Sequence, residues 1–128
     1  FLGNRSDADV FYAGLDIVAL TSLNEGTPLS LIEAMANGKA FVSTAVGGVT
    51  DLLGAVAEEK ENFKVYERGI GVASGDAQTL FDGLIFLAKD ENLRKRFGLR
   101  GKEFVRNHYS KERLTADIIN LYRNLIQN

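Results

Sequence analysis

The chain of 128 residues contains no cysteine, a single proline, Pro28, and a single histidine, His108. The absence of cysteine excludes disulfide bonds and thiolate metal sites, and it agrees with the cytoplasmic location that we expect. No apolar run approaches the roughly 20 residues that a membrane span requires, and no signal-peptide pattern opens the chain. The net charge of −2 gives no support for nucleic-acid binding.

What the chain does contain is typical of one soluble globular domain. Hydrophobic residues make up 45% of the sequence and charged residues 25%. A domain of this size buries roughly two thirds of its unfolded surface. We expect a single, partial domain over residues 1–128, in which residues 1–75 form an α/β core and residues 76–128 form C-terminal helices.

Short apolar runs alternate with helical patterns, which indicates a parallel sheet with crossover helices. The run 16–21 is continuous and apolar, so we expect a strand that is buried on both faces of the sheet. The predicted helices are 7–15, 28–37, 76–89, 91–107 and 111–127, and the other predicted strands are 40–46, 63–66 and 70–73. The last helix carries an apolar stripe of Leu114, Ile118, Leu121 and Leu125.

Two glutamates flank one predicted helix N-terminus. Thr27 is a favourable N-cap, and Pro28 suits the first helical position, where its missing N–H costs nothing. Glu25 precedes this start, and Glu33 lies about 8 Å beyond it because each helical residue adds about 1.5 Å. The free N–H groups of a helix start attract phosphate, and carboxylates on both sides of it accept hydrogen bonds from hydroxyl groups. A sugar–diphosphate–ribose ligand has this layout.

The loop at residues 22–27 and the Gly47-Gly48 turn each follow a predicted strand. They therefore share the carboxyl edge of the sheet, where ligands of such folds bind. Glycine allows a positive φ and a close approach to a ligand, but it also builds tight turns, so both interpretations of this pair stay open. The G-x-G-x-x-G dinucleotide fingerprint is absent.

Residues 20–53, LTSLNEGTPLSLIEAMANGKAFVSTAVGGVTDLL, resemble the signature of the retaining glycosyltransferases of family 4, which have the GT-B fold. That signature runs E-G-x-P, four residues, E-A-M-A-x-G-x-P-V and, after a short strand, G-G. The start of the chain, Phe1-Leu2-Gly3 with Arg5 and Asp7, is similar to the family's preceding strand end and loop. Tyr109–Leu114 and Leu121-Tyr122 are similar to its C-terminal helix. The resemblance implies the Rossmann-like parallel sheet with flanking helices of a GT-B C-terminal domain.

The sequence departs from the family pattern at a few positions. Ala40 and Thr50 stand where proline is usual or common, which changes rigidity more than chemistry. Asp51 stands where glutamate is usual and keeps the charge with a shorter reach; we expect it to cap the next short helix rather than to orient the glycine turn. A longer connection over residues 54–67 replaces the usual short turn.

The resemblance implies transfer of a sugar from a nucleotide-diphosphate donor to an acceptor hydroxyl, with retention of configuration and without a metal or cofactor. Glu33 would hold the ribose hydroxyls, and Glu25 would contact the transferred sugar as the candidate catalytic residue. No residue is assigned as a general base, because the leaving phosphate is thought to assist the acceptor in such enzymes.

The remaining site residues follow from the same resemblance. Backbone N–H groups of Gly26, Thr27, Leu29 and Ser30, with Pro28 in the same segment, would face the sugar or the phosphate. The glycine turn, Gly47-Gly48, would lie beside them. Gly3, Asn4 and Arg5 would lie near the nucleobase, where Arg5 could stack on the base or reach a phosphate. A surface role for Arg5 is an equal alternative.

The chain begins at Phe1 rather than at methionine, and we expect it to be part of a larger enzyme that is inactive without its N-terminal, acceptor-binding domain. The donor would be a nucleotide sugar, and the acceptor a glycan, a lipid-linked glycan or a small molecule. Lys95, Lys102 and Arg106 could attract anionic lipid at the cytoplasmic membrane face, although a solvated helix face is the favoured interpretation.

Two other function classes stay open at this point. One is a non-catalytic nucleotide-binding or structural module derived from such a transferase. The other, a phosphoacceptor switch, would need aspartates clustered at a strand end, whereas Asp7 and Asp9 fall at a predicted helix start. We expect His108 to stabilise the end of its helix rather than to act in catalysis, because it has no partner at a recognisable motif spacing.

Overall fold

The computed structural model describes Gly3 and residues 5–126 as an α/β fold around a five-stranded mixed sheet. The predicted strand end at residues 1–2 lies outside the described residues, as do Asn4 and positions 127 and 128. In chain order the elements are α1 (Ala8–Ala13), β1 (Ile17–Leu20), α2 (Leu29–Ala36), β2 (Ala40–Thr44), α3 (Val49–Leu53), β3 (Val56–Glu59), β4 (Lys64–Tyr66), β5 (Ile70–Val72), α4 (Ala77–Lys89), α5 (Glu91–His108) and α6 (Lys111–Ile126).

The strand order is β1-β2-β5-β4-β3. The pairs β1–β2 and β2–β5 are parallel, whereas β5–β4 and β4–β3 are antiparallel. The parallel part was predicted from the alternation of apolar runs and helices. It brings the residues that follow β1, β2 and β5 to one carboxyl edge of the sheet.

The prediction that the first apolar strand is buried on both faces is wrong. Within the described residues β1 lies at an edge of the sheet and is only half-buried, and Ala19 is exposed. Strand β2 instead is buried at all five positions, because it lies between β1 and β5 and is covered on both faces.

The segment 54–67 was predicted as a longer connection that contains one short strand, at 63–66. The structure shows that strand as β4 and adds a second strand, β3, before it. Strands β3 and β4 form an antiparallel hairpin whose register shifts between Val56 and Glu58. All four residues of β3 are exposed, so no alternation of buried and exposed positions marks this strand in the sequence.

The core consists of two hydrophobic clusters, one on each face of the sheet. Alternate residues of β2 point to opposite sides, with Val42 in the cluster covered by α4 and Phe41 in the cluster covered by α2 and α3. Helix α5 contributes Phe97 to the first cluster and Val105 to the second. This helix therefore joins the two halves of the core.

The close approach of α5 to the rest of the fold depends on a pair of glycines. Gly38 has a φ of +69° and follows α2, as predicted for the end of that helix. A Cβ on the buried Gly98 would lie 2.1 Å from the backbone oxygen of Gly38. Only glycine at position 98 permits this backbone contact.

Helix α6 packs differently from the others. None of its described residues is buried, and its apolar stripe of Leu114, Ile118, Leu121 and Leu125 is between 44% and 65% exposed. The predicted apolar face is thus present on the helix surface without a partner among the described residues.

The N-cap of α4 is a sequence prediction that the structure confirms. The Asp76 side chain accepts hydrogen bonds from the backbone N–H groups of Gln78 and Thr79, each at 3.0 Å. We expect Asp76→Ala to lower the free energy of unfolding by about 1 kcal/mol, because two N–H groups lose their acceptor. Urea denaturation followed by circular dichroism measures this change.

Asp76→Asn is the matched control, because asparagine keeps an oxygen acceptor at the cap position. We expect its midpoint in urea to stay close to that of the unmodified chain. An equal loss of stability in both variants would contradict the capping role and would point to the charge of Asp76 instead.

Candidate functional site

The loop between β1 and α2 carries Glu25 at the carboxyl edge of the sheet. Thr44, buried at the end of β2, donates a hydrogen bond of 2.6 Å from its hydroxyl to the backbone oxygen of Ser22. The Ser22 hydroxyl in turn donates to Oε1 of Glu25, which is half-buried. These two bonds orient the Glu25 carboxylate, and Oε2 accepts no hydrogen bond from the described residues.

The Gly47-Gly48 turn packs directly on this loop. Gly47 has a φ of +52°, and a Cβ there would lie 1.9 Å from the backbone oxygen of Glu25. A Cβ on Gly48 would lie 2.3 Å from the backbone oxygen of Gly26, and the Gly48 N–H donates to the Glu25 oxygen at 3.3 Å. The two loops thus meet at the predicted edge, and their contact by itself accounts for both glycines.

Helix α2 begins at Leu29, one residue later than predicted. Pro28 occupies the N-cap position because its ψ of 117° is extended rather than helical. The prediction of Thr27 as N-cap is therefore wrong, and its exposed side chain accepts no capping hydrogen bond from a backbone N–H in the described part of the chain. The first backbone N–H groups of α2 have no helical acceptor, as at the start of any α-helix.

Glu33 lies on the second turn of α2 and is half-buried. Its neighbour is the buried Tyr12 of α1, whose hydroxyl donates a hydrogen bond of 3.0 Å to the backbone oxygen of Ser30. Burial raises the pKa of the Tyr12 phenol, and the adjacent Glu33 carboxylate raises this pKa further. Tyr12 therefore positions the start of α2 and lies beside the second candidate glutamate.

The structure places the candidate nucleobase loop only in part. Gly3 has a φ of +63°, and Asn4 lies outside the described residues. The Arg5 guanidinium pairs with Asp7, with 2.8 Å between Nε and Oδ1, and lies 5.8 Å from the ring centroid of Phe11. This ion pair also lowers the pKa of the Asp7 carboxyl. Arg5 is thus engaged with its own loop.

The predicted capping role of Asp51 is wrong. Asp51 lies inside the first turn of α3, and the N-cap position belongs to Gly48. The backbone oxygen of Asp51 accepts a hydrogen bond of 2.8 Å from the Arg68 guanidinium. The departure from the family pattern at this position therefore leaves the arrangement of the two glutamates unchanged.

His108 lies in the last turn of α5, where the sequence places it. Its ring stacks on Phe104 with 4.3 Å between centroids, and Nδ1 lies 2.9 Å from the Phe104 backbone oxygen. Phe104 also carries the Arg68 guanidinium 3.9 Å above its ring. These residues lie around the turn between β4 and β5. That turn is at the amino edge of the parallel strands, opposite the carboxyl edge that carries Glu25, so His108 is not a member of the candidate site.

Sequence reasoning missed the residues that position the two glutamates. Ser22 is three residues before Glu25, a spacing that allows the local hydrogen bond. Thr44 and Tyr12 contact residues 22 and 18 positions away along the chain, so only the tertiary structure brings them together.

Among residues 5–126, no three histidine, aspartate or glutamate side chains come together as a metal site requires. No helix in the same part of the chain is long and apolar enough to cross a membrane.

Comparison with known protein families identifies the family to which this domain belongs. Residues 1–104 match the family described as glycosyl transferases group 1, and the match includes every element from α1 to α4. The chain belongs to this family. The two loops and the α2 start described above are therefore parts of a group 1 glycosyltransferase domain.

Two relatives show the range of enzymes to which this group 1 domain is similar. It is 27% identical over its whole length to the N-acetyl-alpha-D-glucosaminyl L-malate synthase of Bacillus anthracis, of which it covers 31%. It is 34% identical over 117 residues to the D-inositol 3-phosphate glycosyltransferase of Corynebacterium urealyticum, covering 89% of this chain and 24% of that enzyme. The chain thus spans a third or less of these relatives.

Solved structures identify the fold of the group 1 domain. The sucrose-phosphate synthase of Thermosynechococcus elongatus superposes with a TM-score of 0.78 and 27% identity over 92% of this chain and 27% of that enzyme. Anabaena HepE, solved in complex with UDP-glucose, superposes with a TM-score of 0.80 and 22% identity over 97% of this chain and 32% of HepE. The fold is therefore the Rossmann-like C-terminal domain of GT-B enzymes, as the sequence predicts.

Proposed function

We propose that this domain binds the nucleotide-diphosphate sugar donor of a glycosyltransferase that retains the configuration of the transferred sugar and needs no metal. The observation that carries the proposal is the pair of half-buried glutamates, Glu25 and Glu33, on either side of the start of α2. Membership of the group 1 family supports it.

Each part of this arrangement suits one part of the donor. The N–H groups at the start of α2 and the positive end of its dipole would bind the diphosphate and stabilise its charge as it leaves. Glu33 would accept hydrogen bonds from the ribose hydroxyls. Glu25, oriented by Ser22, would hold the hydroxyls of the transferred sugar, so that the anomeric carbon is positioned for attack by the acceptor.

The ligands and acceptors named for similar proteins suggest which donor and acceptor classes to propose. HepE shares the fold and was solved with UDP-glucose, which makes UDP the first nucleotide to test. A lipid-linked acceptor is named for the N,N'-diacetylbacillosaminyl-diphospho-undecaprenol alpha-1,3-N-acetylgalactosaminyltransferase of Campylobacter jejuni, which is 29% identical. We propose a hydroxyl of a glycan, a lipid-linked glycan or a small molecule as the acceptor.

The exposed apolar stripe of α6 suggests the partner of this domain. Its exposed apolar stripe and the share of each relative that the chain spans support docking against an N-terminal, acceptor-binding domain of the same enzyme. We propose a cytoplasmic setting. Lys95 forms an ion pair of 2.6 Å with Glu91, which favours a solvated helix face over lipid contact for the basic residues of α5.

Glu33→Gln tests the donor site directly. We expect UDP to bind this variant about tenfold or more weakly, because the hydrogen bonds that a carboxylate accepts contribute about 1.5–3 kcal/mol. Titration of the ¹⁵N-labelled chain with UDP and then GDP, followed by amide NMR, measures the affinity and identifies the base. Shifts concentrated at 26–33 and 47–48 are expected for the unmodified chain.

Glu112→Gln on the exposed helix α6 is the matched control, and we expect it to bind UDP as the unmodified chain does. If the chain is folded and neither UDP nor GDP changes its amide chemical shifts, donor binding by this domain is contradicted and the non-catalytic structural module is favoured. Equal affinity of the Glu33→Gln variant and the unmodified chain would contradict the ribose contact.

A further inference from the structure

Tyr12 connects the short helix α1 to the helix that carries Glu33. It is the buried residue of α1, with 7% of its surface exposed. Its hydroxyl donates a hydrogen bond of 3.0 Å to the backbone oxygen of Ser30, which lies in the first turn of α2. Ser30 and Glu33 are three residues apart and are therefore neighbours on the surface of this helix. The phenol thus meets α2 on the face that carries Glu33.

The phenol oxygen also lies within hydrogen-bonding reach of the Glu33 carboxylate. Burial raises the pKa of the Tyr12 phenol most, and the negative charge of Glu33 and a hydrogen bond to it raise this pKa further. The last two effects require the two side chains to be close together. The hydroxyl has one proton to donate, whereas a carboxylate has about four lone-pair sites. Glu33 therefore keeps the capacity to accept hydrogen bonds from a ligand beside its contact with Tyr12.

A second contact fixes α1 against α2. The Lys39 ammonium, in the turn that follows α2, donates a hydrogen bond of 3.0 Å to the backbone oxygen of Ala13 at the end of α1. Tyr12 holds α1 near the start of α2, and Lys39 holds it near the other end. The position of the phenol beside Glu33 is therefore set by the packing of the two helices, before any ligand binds.

Helix α1 also connects Tyr12 with the candidate nucleobase loop. The rings of Phe11 and Tyr12 lie 5.5 Å apart between centroids in an edge-to-face arrangement. The Arg5 guanidinium of that loop lies 5.8 Å from the ring centroid of Phe11. In a nucleotide the ribose joins the base to the diphosphate. Tyr12 has contacts toward the loop proposed for the base and toward the helix start proposed for the diphosphate, which is where a residue that acts on the ribose contact should lie.

We propose that Tyr12 is a positioning residue of the donor site, whose hydroxyl holds the Glu33 carboxylate where it accepts hydrogen bonds from the ribose hydroxyls. A glutamate side chain has several rotatable bonds, and fixing them before the ligand binds reduces the entropy that is lost on binding. This inference rests on the proposed function, because it concerns the ribose contact assigned to Glu33. The effect of Tyr12 on affinity should therefore depend on the ribose hydroxyls and not on the diphosphate.

Tyr12→Phe tests this role, because it removes the hydroxyl and keeps the buried ring. The ¹⁵N-labelled chain is titrated with UDP and with 2′,3′-dideoxy-UDP, which lacks the ribose hydroxyls, and amide NMR gives both dissociation constants. We expect Tyr12→Phe to bind UDP about three- to tenfold more weakly, as for the loss of one hydrogen bond, and to bind dideoxy-UDP as the unmodified chain does. Tyr122→Phe, on the exposed helix α6, is the matched control and should leave both affinities unchanged.

The double variant Tyr12→Phe/Glu33→Gln shows whether Tyr12 acts through Glu33. We expect it to bind UDP no more weakly than Glu33→Gln alone, because the second substitution removes what the first one positions. Losses that add in the double variant would overturn the inference. Equal weakening of UDP and dideoxy-UDP by Tyr12→Phe would also overturn it, since Tyr12 would then support only the helix start. So would a Tyr12→Phe variant that binds UDP as the unmodified chain does.

A measurement without any ligand separates this inference from the proposed function. In a pH titration followed by the ¹³Cζ signals of the tyrosines, Glu33→Gln should lower the pKa of the Tyr12 phenol, because a neutral amide no longer opposes the phenolate charge. An unchanged pKa would overturn the inference whether or not UDP binds. A lowered pKa in a chain that binds neither UDP nor GDP would confirm the contact but overturn the proposed function, and with it the ribose role of Tyr12.

Discussion

Gly47→Ala is expected to lower the free energy of unfolding by about 3 kcal/mol or more and to abolish the binding of UDP. An alanine held at a positive φ costs about 1–2 kcal/mol. Its Cβ would also lie 1.9 Å from the backbone oxygen of Glu25, and backbone shifts that relieve such an overlap add about 1–3 kcal/mol or more. Because the loop that must move carries Glu25, stability and donor binding should be lost together.

Gly75→Ala separates the two causes. Gly75 has a φ of +77°, but a Cβ there meets no atom within 4 Å. This variant should therefore show only the cost of the positive φ, about 1–2 kcal/mol, and should bind UDP normally. Urea denaturation and the UDP titration are run on both variants. An equal loss of stability at positions 47 and 75 would contradict the importance of the contact with Glu25.

The second large effect is expected at the contact between α5 and the turn that connects α2 to β2. In an exposed helix, replacing glycine by alanine stabilises by about 0.5–1 kcal/mol. At Gly98 the added Cβ would lie 2.1 Å from the backbone oxygen of Gly38, so the helix must move away from the sheet. We expect Gly98→Ala to destabilise the domain by about 2–4 kcal/mol in urea denaturation.

Gly101→Ala on the same helix should have the opposite sign. It is also buried, but its Cβ would meet only the flexible side chain of Met35, at 3.3 Å from Cγ. We expect a change between zero and about 1 kcal/mol of stabilisation. Destabilisation of similar size in both variants would mean that general crowding of α5, rather than the backbone contact at Gly38, limits this packing.

The fold was predictable wherever local patterns carry the information. The parallel strands β1 and β2 were recognisable because short apolar runs alternate with a helical period, and β5 was predicted as a short strand without its pairing to β2. Asp76 and Gly38 marked helix ends through their backbone chemistry. Strand β3 was missed because all its residues are exposed. Its pairing with β4 is a backbone interaction that leaves no hydrophobic pattern.

The candidate site was predicted to a similar extent. Thr27 and Pro28 predicted a helix start between Glu25 and Glu33, and the structure confirms a helix start between these two glutamates. The helix begins at Leu29, one residue later than predicted. The resemblance to glycosyltransferases rests on the same residues, and membership of the group 1 family is confirmed. The individual roles of these residues stay predictions.

By itself, the sequence determined the α/β class, the strand-helix-strand unit from β1 to β2 and the carboxyl edge on which the candidate residues lie, because these depend on periodicity and on the chain direction of strands. The order of the strands in the sheet came only from the structure. Only the tertiary structure decided how that edge is built. The hydrogen bond from Thr44 to Ser22, the contact of Tyr12 with the start of α2 and the packing of Gly47 on Glu25 join residues at least 18 positions apart. Such contacts arise from the packing of whole elements, and no local pattern specifies them.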